Sequence, residues 1–274
     1  MEKSLQILWV LLRQIFLDNM PPPSSASCLP ADAFITVKDA GEWSLSPALT
    51  ILFRAARSGY DWPSGTGAAV SQRTIQSLEA SVAARMRNLT ESDASQIAID
   101  VSAWAGNNRR SHTRLINASS ADKALIRQAI SDLANRTTVQ RGVETLCGIP
   151  GLSLVIATKI FRFCVPDVGA AVDRHASYFT NSLPTSDGVA SRFLREWTNA
   201  ERRATRLATY SPARLRVNVD EYFRGYLPLL AAIACELNSA DSLFVCAVTG
   251  ARSLWRPTDV EMAAYYWWAR HGAR

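Results

Sequence analysis

The residues best equipped for chemistry lie between Thr137 and His175. GlyIleProGly at 148–151 separates two stretches with helical spacing of apolar residues, 137–147 and 153–164. Two helices joined by so short a turn form an αα-hairpin. The first amides of the second helix have no partner within that helix, and with its dipole they suit a phosphate. Gly148, Pro150, Gly151 and Ser153 would then grip a DNA backbone without reading its sequence. Val172-Asp173-Arg174-His175 follows the hairpin. Asp173 can cap a helix that starts at Arg174, which would also keep it ionised and fixed. Lys159 lies one turn after Val155 on the same helical face, inside the apolar run IleAlaThrLysIlePheArgPhe. Burial there would lower its pKa toward nucleophilic use. The plainer role is a stem laid along apolar surface with its ammonium in solvent.

The pattern Ile149-Pro150-Gly151-Leu152-Ser153, with Ala157 on the next helix, resembles the LeuProGlyValGly…Ala hairpin of helix-hairpin-helix DNA glycosylases. That family includes the 8-oxoguanine, adenine-mismatch and alkyladenine enzymes, and the likeness is greatest to the 8-oxoguanine members. In the family a catalytic Asp follows the hairpin at a near-fixed distance, in a ValAsp step after a proline-containing loop. Here Pro166 precedes Val172-Asp173, with Asp173 lying 22 positions after Gly151. An Asp-x-His step occurs in 8-oxoguanine members, so the resemblance makes His175, beside Arg174, a phosphate or sugar contact. The match spans Thr145 to His175.

The resemblance implies an all-α fold of two helical subdomains around a DNA-binding cleft, with the helix-hairpin-helix motif at 137–164. It also implies a DNA N-glycosylase; the cysteine and histidine spacings lead us to expect no cofactor and no metal. Cleaving an N-glycosidic bond builds oxocarbenium character on the deoxyribose, which a carboxylate at Asp173 would stabilise. Two positions depart from the family. Ser153 replaces the second hairpin glycine, and its hydroxyl could cap the second helix. Val155 stands where bifunctional members carry a Schiff-base lysine, and valine cannot form an imine. The implied chemistry is therefore hydrolysis that leaves an abasic site. Three alternatives stay open: a bifunctional glycosylase/lyase using Lys159, a glycosylase acting on modified cytosine (glucosylated hydroxymethylcytosine, for example) in phage DNA as antiviral defence, and a non-catalytic DNA-binding module.

Other residues are candidates for the same interface. Asn107-Asn108-Arg109-Arg110 follows a helix ending near Trp104, and Asn108 and Arg109 could contact DNA where a base is extruded. A helix C-cap and solvated loop explains the same residues. Tyr265-Tyr266-Trp267-Trp268 covers all sides of a helix, so most of it should be core, with one face able to stack a base. Arg192, Arg195, Arg202, Arg203 and Arg206 form a basic stretch, as on an ordinary solvated face. His112, His175 and His271 are too scattered for a metal centre. No Gly-rich loop precedes a Lys-Ser/Thr pair, which argues against a P-loop ATPase.

The elements that must position these residues read as helices: 70–89, 91–105, 120–135, 189–210, 219–237 and 258–271, besides the hairpin pair. Ser120 opens one of them. Pro257-Thr258 opens the last, with Asp259 and Glu261 in its first turn favouring the helix dipole. Short strand candidates are 34–37 and 242–248, the latter equally a buried helix. Residues 1–40 read as an N-terminal amphipathic helix, with Leu5, Leu8, Trp9, Leu12 and Phe16 on one face, and a Pro/Ser linker from Pro21 to Ser27. Residues 41–274 read as the glycosylase-like domain.

Bulk properties agree. The 274 residues, 48% hydrophobic and 20% charged, suit a packed globular chain rather than a disordered one. The net charge of +6 suits a polyanion such as double-stranded DNA carrying a damaged or modified base. The apolar run 7–12 is far too short to cross a bilayer, so no membrane partner is expected. Five cysteines without CxxC spacing argue against a cysteine metal cluster; Cys147, Cys164 and Cys235, among apolar neighbours, read as buried thiols, which suits a reducing cytoplasm, and a monomer is expected.

Overall fold

The computed structural model describes residues 29–30, 32–37, 43–60, 74–105, 109–150, 152–172, 174–183, 219–246 and 250–271. The expected helix at 5–16, the Pro/Ser linker, Trp62, the 189–210 helix with its arginines, and Asn107, Asn108, Gly151 and Asp173 lie outside them.

Within these residues the fold is mostly helical, as expected. The helices are α1 (Pro47–Ser58), α2 (Ile75–Met86), α3 (Glu91–Trp104), α4 (Arg109–Ile116), α5 (Ser120–Leu133), α6 (Val139–Gly148), α7 (Leu154–Cys164), α8 (Arg174–Asn181), α9 (Leu227–Ser239) and α10 (Pro257–His271). A π-helical turn, Tyr222–Tyr226, leads straight into α9. Two antiparallel strand pairs complete the set: β1 (Ile35–Val37) with β2 (Trp43–Leu45), and β3 (Phe244–Val245) with β4 (Arg252–Ser253). Gly250, at φ +68, lies in the turn joining β3 to β4. The sequence reading has no counterpart to α1 or β2, and α4 begins where a loop was expected.

Local signals account for where several helices start. Thr90 and Asp93 close a reciprocal capping box on α3, and Ser119 with Asp122 does the same on α5, one residue ahead of the expected Ser120. Ser46 caps α1 through the Leu49 amide, with Pro47 as its first residue. Each such cap contributes about 1 kcal/mol.

One contiguous core runs from Leu29 to Ala264. It takes in Leu29, Ala33 and Ile35, so these residues pack against the body of the fold. α5 packs on α3 and α6, and α7 lies against α2, α3, α5 and α6. α10 packs on α1, α8 and α9. The α5–α6 approach depends on Gly142, where a Cβ would come 2.7 Å from the Ala129 carbonyl oxygen and 2.9 Å from Leu133 Cδ2.

The start of α10 carries charge into this core. Asp259 is 0% exposed and Arg57, on α1, is 3% exposed. Arg57 donates from Nε (3.0 Å) and Nη2 (2.9 Å) to Asp259 Oδ1. Oδ2 accepts from Arg256 Nε at 2.8 Å and from its backbone N–H at 3.1 Å. Arg256 also reaches Glu79 on α2 at 3.2 Å. Burial works against the charge of Arg256, but Asp259 and Glu79 outweigh it and raise its pKa. Arg162 on α7, wholly buried, donates to the Thr258 hydroxyl and lies 3.7 Å from Glu261 and 3.8 Å from Glu79. Three arginines thus meet three carboxylates, which keeps the buried network neutral and ties α1, α2 and α7 to α10. Asp259 and Glu261, expected to serve a helix dipole, are buried ion-pair partners.

The cysteines divide. Cys147 is buried and Cys164 half-buried, and desolvation pushes both thiols up to about 12. Cys235 is exposed, contrary to expectation, because it falls on the solvent side of α9.

Candidate nucleic-acid interface and active site

The α6–α7 connection is short and anchored at both ends. Ile149 N–H bonds the Leu146 carbonyl at 3.1 Å, and Leu152 N–H bonds the Ile149 carbonyl at 3.0 Å, closing a four-residue turn with Pro150 second. Ile149 and Leu152 are buried, so the turn is pinned from beneath, while Gly148 and Pro150 face solvent. A Cβ at Gly148 would meet nothing within 4 Å, so packing does not demand glycine there.

Ser153 occupies the cap position of α7 in an extended conformation, and the Ile156 and Ala157 amides bond its carbonyl. Its side chain makes no capping bond, contrary to the expectation that its hydroxyl would cap the helix. Among the described residues the Leu154 and Val155 amides, ahead of those of Ile156 and Ala157, have no acceptor and can serve an outside one. Val155 and Lys159 are both half-buried, and no ion pair engages Lys159 among the described residues.

The opposite side of α7 holds the chain that leads toward Asp173. Thr158 is buried; its hydroxyl donates to the Leu154 carbonyl at 2.8 Å and accepts from the Val172 N–H at 3.1 Å. Tyr222 donates its hydroxyl to the Ala170 carbonyl at 2.6 Å, and Tyr226 donates to that of Ala171 at 3.0 Å. Gly169 lies so close to α7 that a Cβ would come 3.0 Å from both Arg162 Cα and the Phe161 carbonyl oxygen. Three consecutive residues, Ala170 to Val172, thus each have a backbone group taken by a buried side chain. Sequence reading missed this arrangement. Its one trace is the spacing of Tyr222 and Tyr226, four apart, which reads equally well as core.

Arg174 opens α8, and His175 lies in its first turn, half-buried. The His175 ring meets Tyr265 edge-on at 5.2 Å between centroids. Tyr265 in turn packs on Tyr60 at 6.1 Å, and Tyr178 on α8 packs on Trp268 at 5.8 Å. Arg270 lies over the Tyr266 ring at 4.0 Å. Tyr265, Tyr266, Trp267 and Trp268 are all half-buried and pack against the core rather than within it. Arg109 is the first residue of α4.

Among the described residues, no group of three or more His, Cys, Asp or Glu side chains converges as metal ligands would. No described helix is long and apolar enough to cross a membrane. No protein-family model, curated protein or solved structure matches the chain.

Proposed function

We propose that the protein is a DNA glycosylase of the helix-hairpin-helix kind, which extrudes a damaged or modified base from double-stranded DNA and hydrolyses its N-glycosidic bond. The observation that carries this reading is the α6–α7 connection: a pinned four-residue turn with Gly148 and Pro150 in solvent, feeding a helix whose first amides have no side-chain cap. Such amides, at the positive end of a helix dipole, suit a DNA phosphate.

In this reading Asp173 stands near C1′ of the extruded nucleotide. Its carboxylate stabilises the oxocarbenium-like transition state and orients the attacking water. Water oxygen bonds to C1′, the C1′–N pair leaves with the base, which takes up a proton, and an abasic deoxyribose remains. Arg174 and His175 serve phosphate or sugar, and the aromatic residues at 265–268 offer stacking surface beside His175, worth about 1–3 kcal/mol per base. Lys159, half-buried without a partner carboxylate among the described residues, serves as a base contact. Val155 at the imine-forming position keeps the chemistry hydrolytic. The protein acts as a cytoplasmic monomer.

The test is excision from a panel of duplex DNAs: methylated DNA, DNA oxidised to contain 8-oxoguanine, and phage DNA with glucosylated hydroxymethylcytosine. Released bases are identified by mass spectrometry. The wild-type protein should release a base from at least one, and Asp173→Asn should slow that release by about 100-fold or more. Undiminished release by Asp173→Asn removes the carboxylate from the mechanism.

A further inference from the structure

We infer that Tyr222, Tyr226 and Thr158 are positioning residues for the proposed reaction: they clamp the backbone of residues 170–172, the run that ends where Asp173 begins. The inference rests on the glycosylase reading above and adds to it the parts that aim the carboxylate.

The clamp is built from two sides. The Thr158 hydroxyl on α7 accepts the Val172 amide, and the Tyr222 and Tyr226 hydroxyls on the π-helical turn donate to the Ala170 and Ala171 carbonyls. All three side chains belong to buried residues, each 0% exposed. Burial pushes the Tyr222 phenol well above its ordinary range, so it remains protonated and a donor. Gly169 brings the run into contact with the α7 backbone, where a larger residue would lift it away. None of these side chains is needed to bury apolar surface through its hydroxyl: phenylalanine fills the same volume as tyrosine, and valine nearly that of threonine.

The π-helical turn gives the pairing its register. A π turn widens the helix to i→i+5 bonding, and such turns recur at functional sites more than in plain scaffolding. Across Tyr222–Tyr226 it changes the relative direction of two tyrosines four apart, and their hydroxyls reach neighbouring carbonyls of one strand of chain. Residues 170–172 are held by the clamp, and α8, which begins at Arg174, packs on α10. Misplacing a reacting group by about 1 Å costs on the order of 100-fold in rate. Loss of a clamp residue should therefore appear in the chemical step rather than in DNA affinity.

The experiment compares wild type with Tyr222→Phe/Tyr226→Phe, Thr158→Val and Thr158→Ser. Single-turnover base release is measured at increasing protein on whichever DNA of the panel the wild type acts on. Affinity is measured separately on a duplex carrying a tetrahydrofuran abasic analogue. The double phenylalanine variant and Thr158→Val should release the base about 10- to 100-fold more slowly. Their affinity for the abasic duplex should stay within about twofold of wild type, because the phosphate contacts at the hairpin are untouched. Thr158→Ser, which keeps the hydroxyl, should restore the rate. Wild-type rates in both the phenylalanine and valine variants overturn the positioning role while leaving the glycosylase standing. So does a rate loss matched by an equal loss of abasic-duplex affinity, or one that Thr158→Ser fails to rescue. If the wild type releases no base from any DNA of the panel, the glycosylase reading falls and the positioning role falls with it.

Discussion

Changing Asp259 to asparagine probes the buried ion network at its most connected point. Asparagine keeps the shape but removes the charge and turns one acceptor oxygen into a donor. Each oxygen of Asp259 accepts two hydrogen bonds, from Arg57 on one side and Arg256 on the other. In Asp259→Asn one arginine must face an NH2 group, and Arg57, 3% exposed, keeps a positive charge with no carboxylate against it among the described residues. The Phe244 ring, 4.4 Å from its guanidinium, compensates only in part. Breaking a buried pair by removing one partner costs about 3–5 kcal/mol. With a urea slope of about 3 kcal/mol/M, the unfolding midpoint should fall by roughly 1–1.7 M at unchanged slope. Tryptophan fluorescence is a suitable assay, since Trp255 packs on Phe244 within the same region. A second variant separates charge from packing: Arg57→Met with Asp259→Leu removes both charges and should recover much of the loss. A shift in Asp259→Asn equivalent to less than about 1 kcal/mol, the scale of a solvent-exposed pair, would refute the reasoning. A double variant as unstable as the single one would show that the stranded charge is not the cause.

Two further outcomes follow from geometry outside the network. Gly142→Ala forces a methyl to 2.7 Å from the Ala129 carbonyl oxygen, so α5 and α6 must separate; denaturation should show a loss of about 1–3 kcal/mol, whereas Gly148→Ala, with open space around it, should leave stability nearly unchanged. The Arg141 hydrogen bond holds the Asp132 carboxyl below its ordinary range, and the Thr90 hydroxyl and amide do the same for Asp93. Because these folded-state pKa values lie below the unfolded ones, the stability they add is fully present above about pH 4 and lost as the pH falls through the folded values. Asp132→Asn should therefore be less stable than wild type at pH 6, and the gap should close toward pH 3 in parallel denaturation curves.

Much of what the sequence determined is local. Thr90 with Asp93 and Ser119 with Asp122 lie three residues apart, so a cap and its partner can be read together. The Pro150 turn between two amphipathic stretches is local in the same sense, and α6 and α7 lie on either side of it. Asp173 is legible by its residue type and its spacing from that turn, and it lies outside the described residues. The eight-residue α4 escaped notice because it is dominated by basic and polar residues, whereas α1 went unread although the Ser46-Pro47 start and Leu49, Leu52, Phe53 and Ala56 at helical spacing were there to signal it.

Only the tertiary structure decided which polar residues are enclosed and with whom. Arg57 meets Asp259 across 202 positions, and Arg256 meets Glu79 across 177. The tyrosines of the clamp meet their carbonyls across 52 and 55. Nothing in an isolated helix distinguishes a first-turn Asp259 that faces water from one that neutralises two arginines in the core. The same holds for Cys235, whose apolar neighbours in sequence point to other sides of α9. Helical periodicity tells which residues share a face; it does not tell which face the rest of the chain covers, because that depends on contacts between segments far apart in sequence.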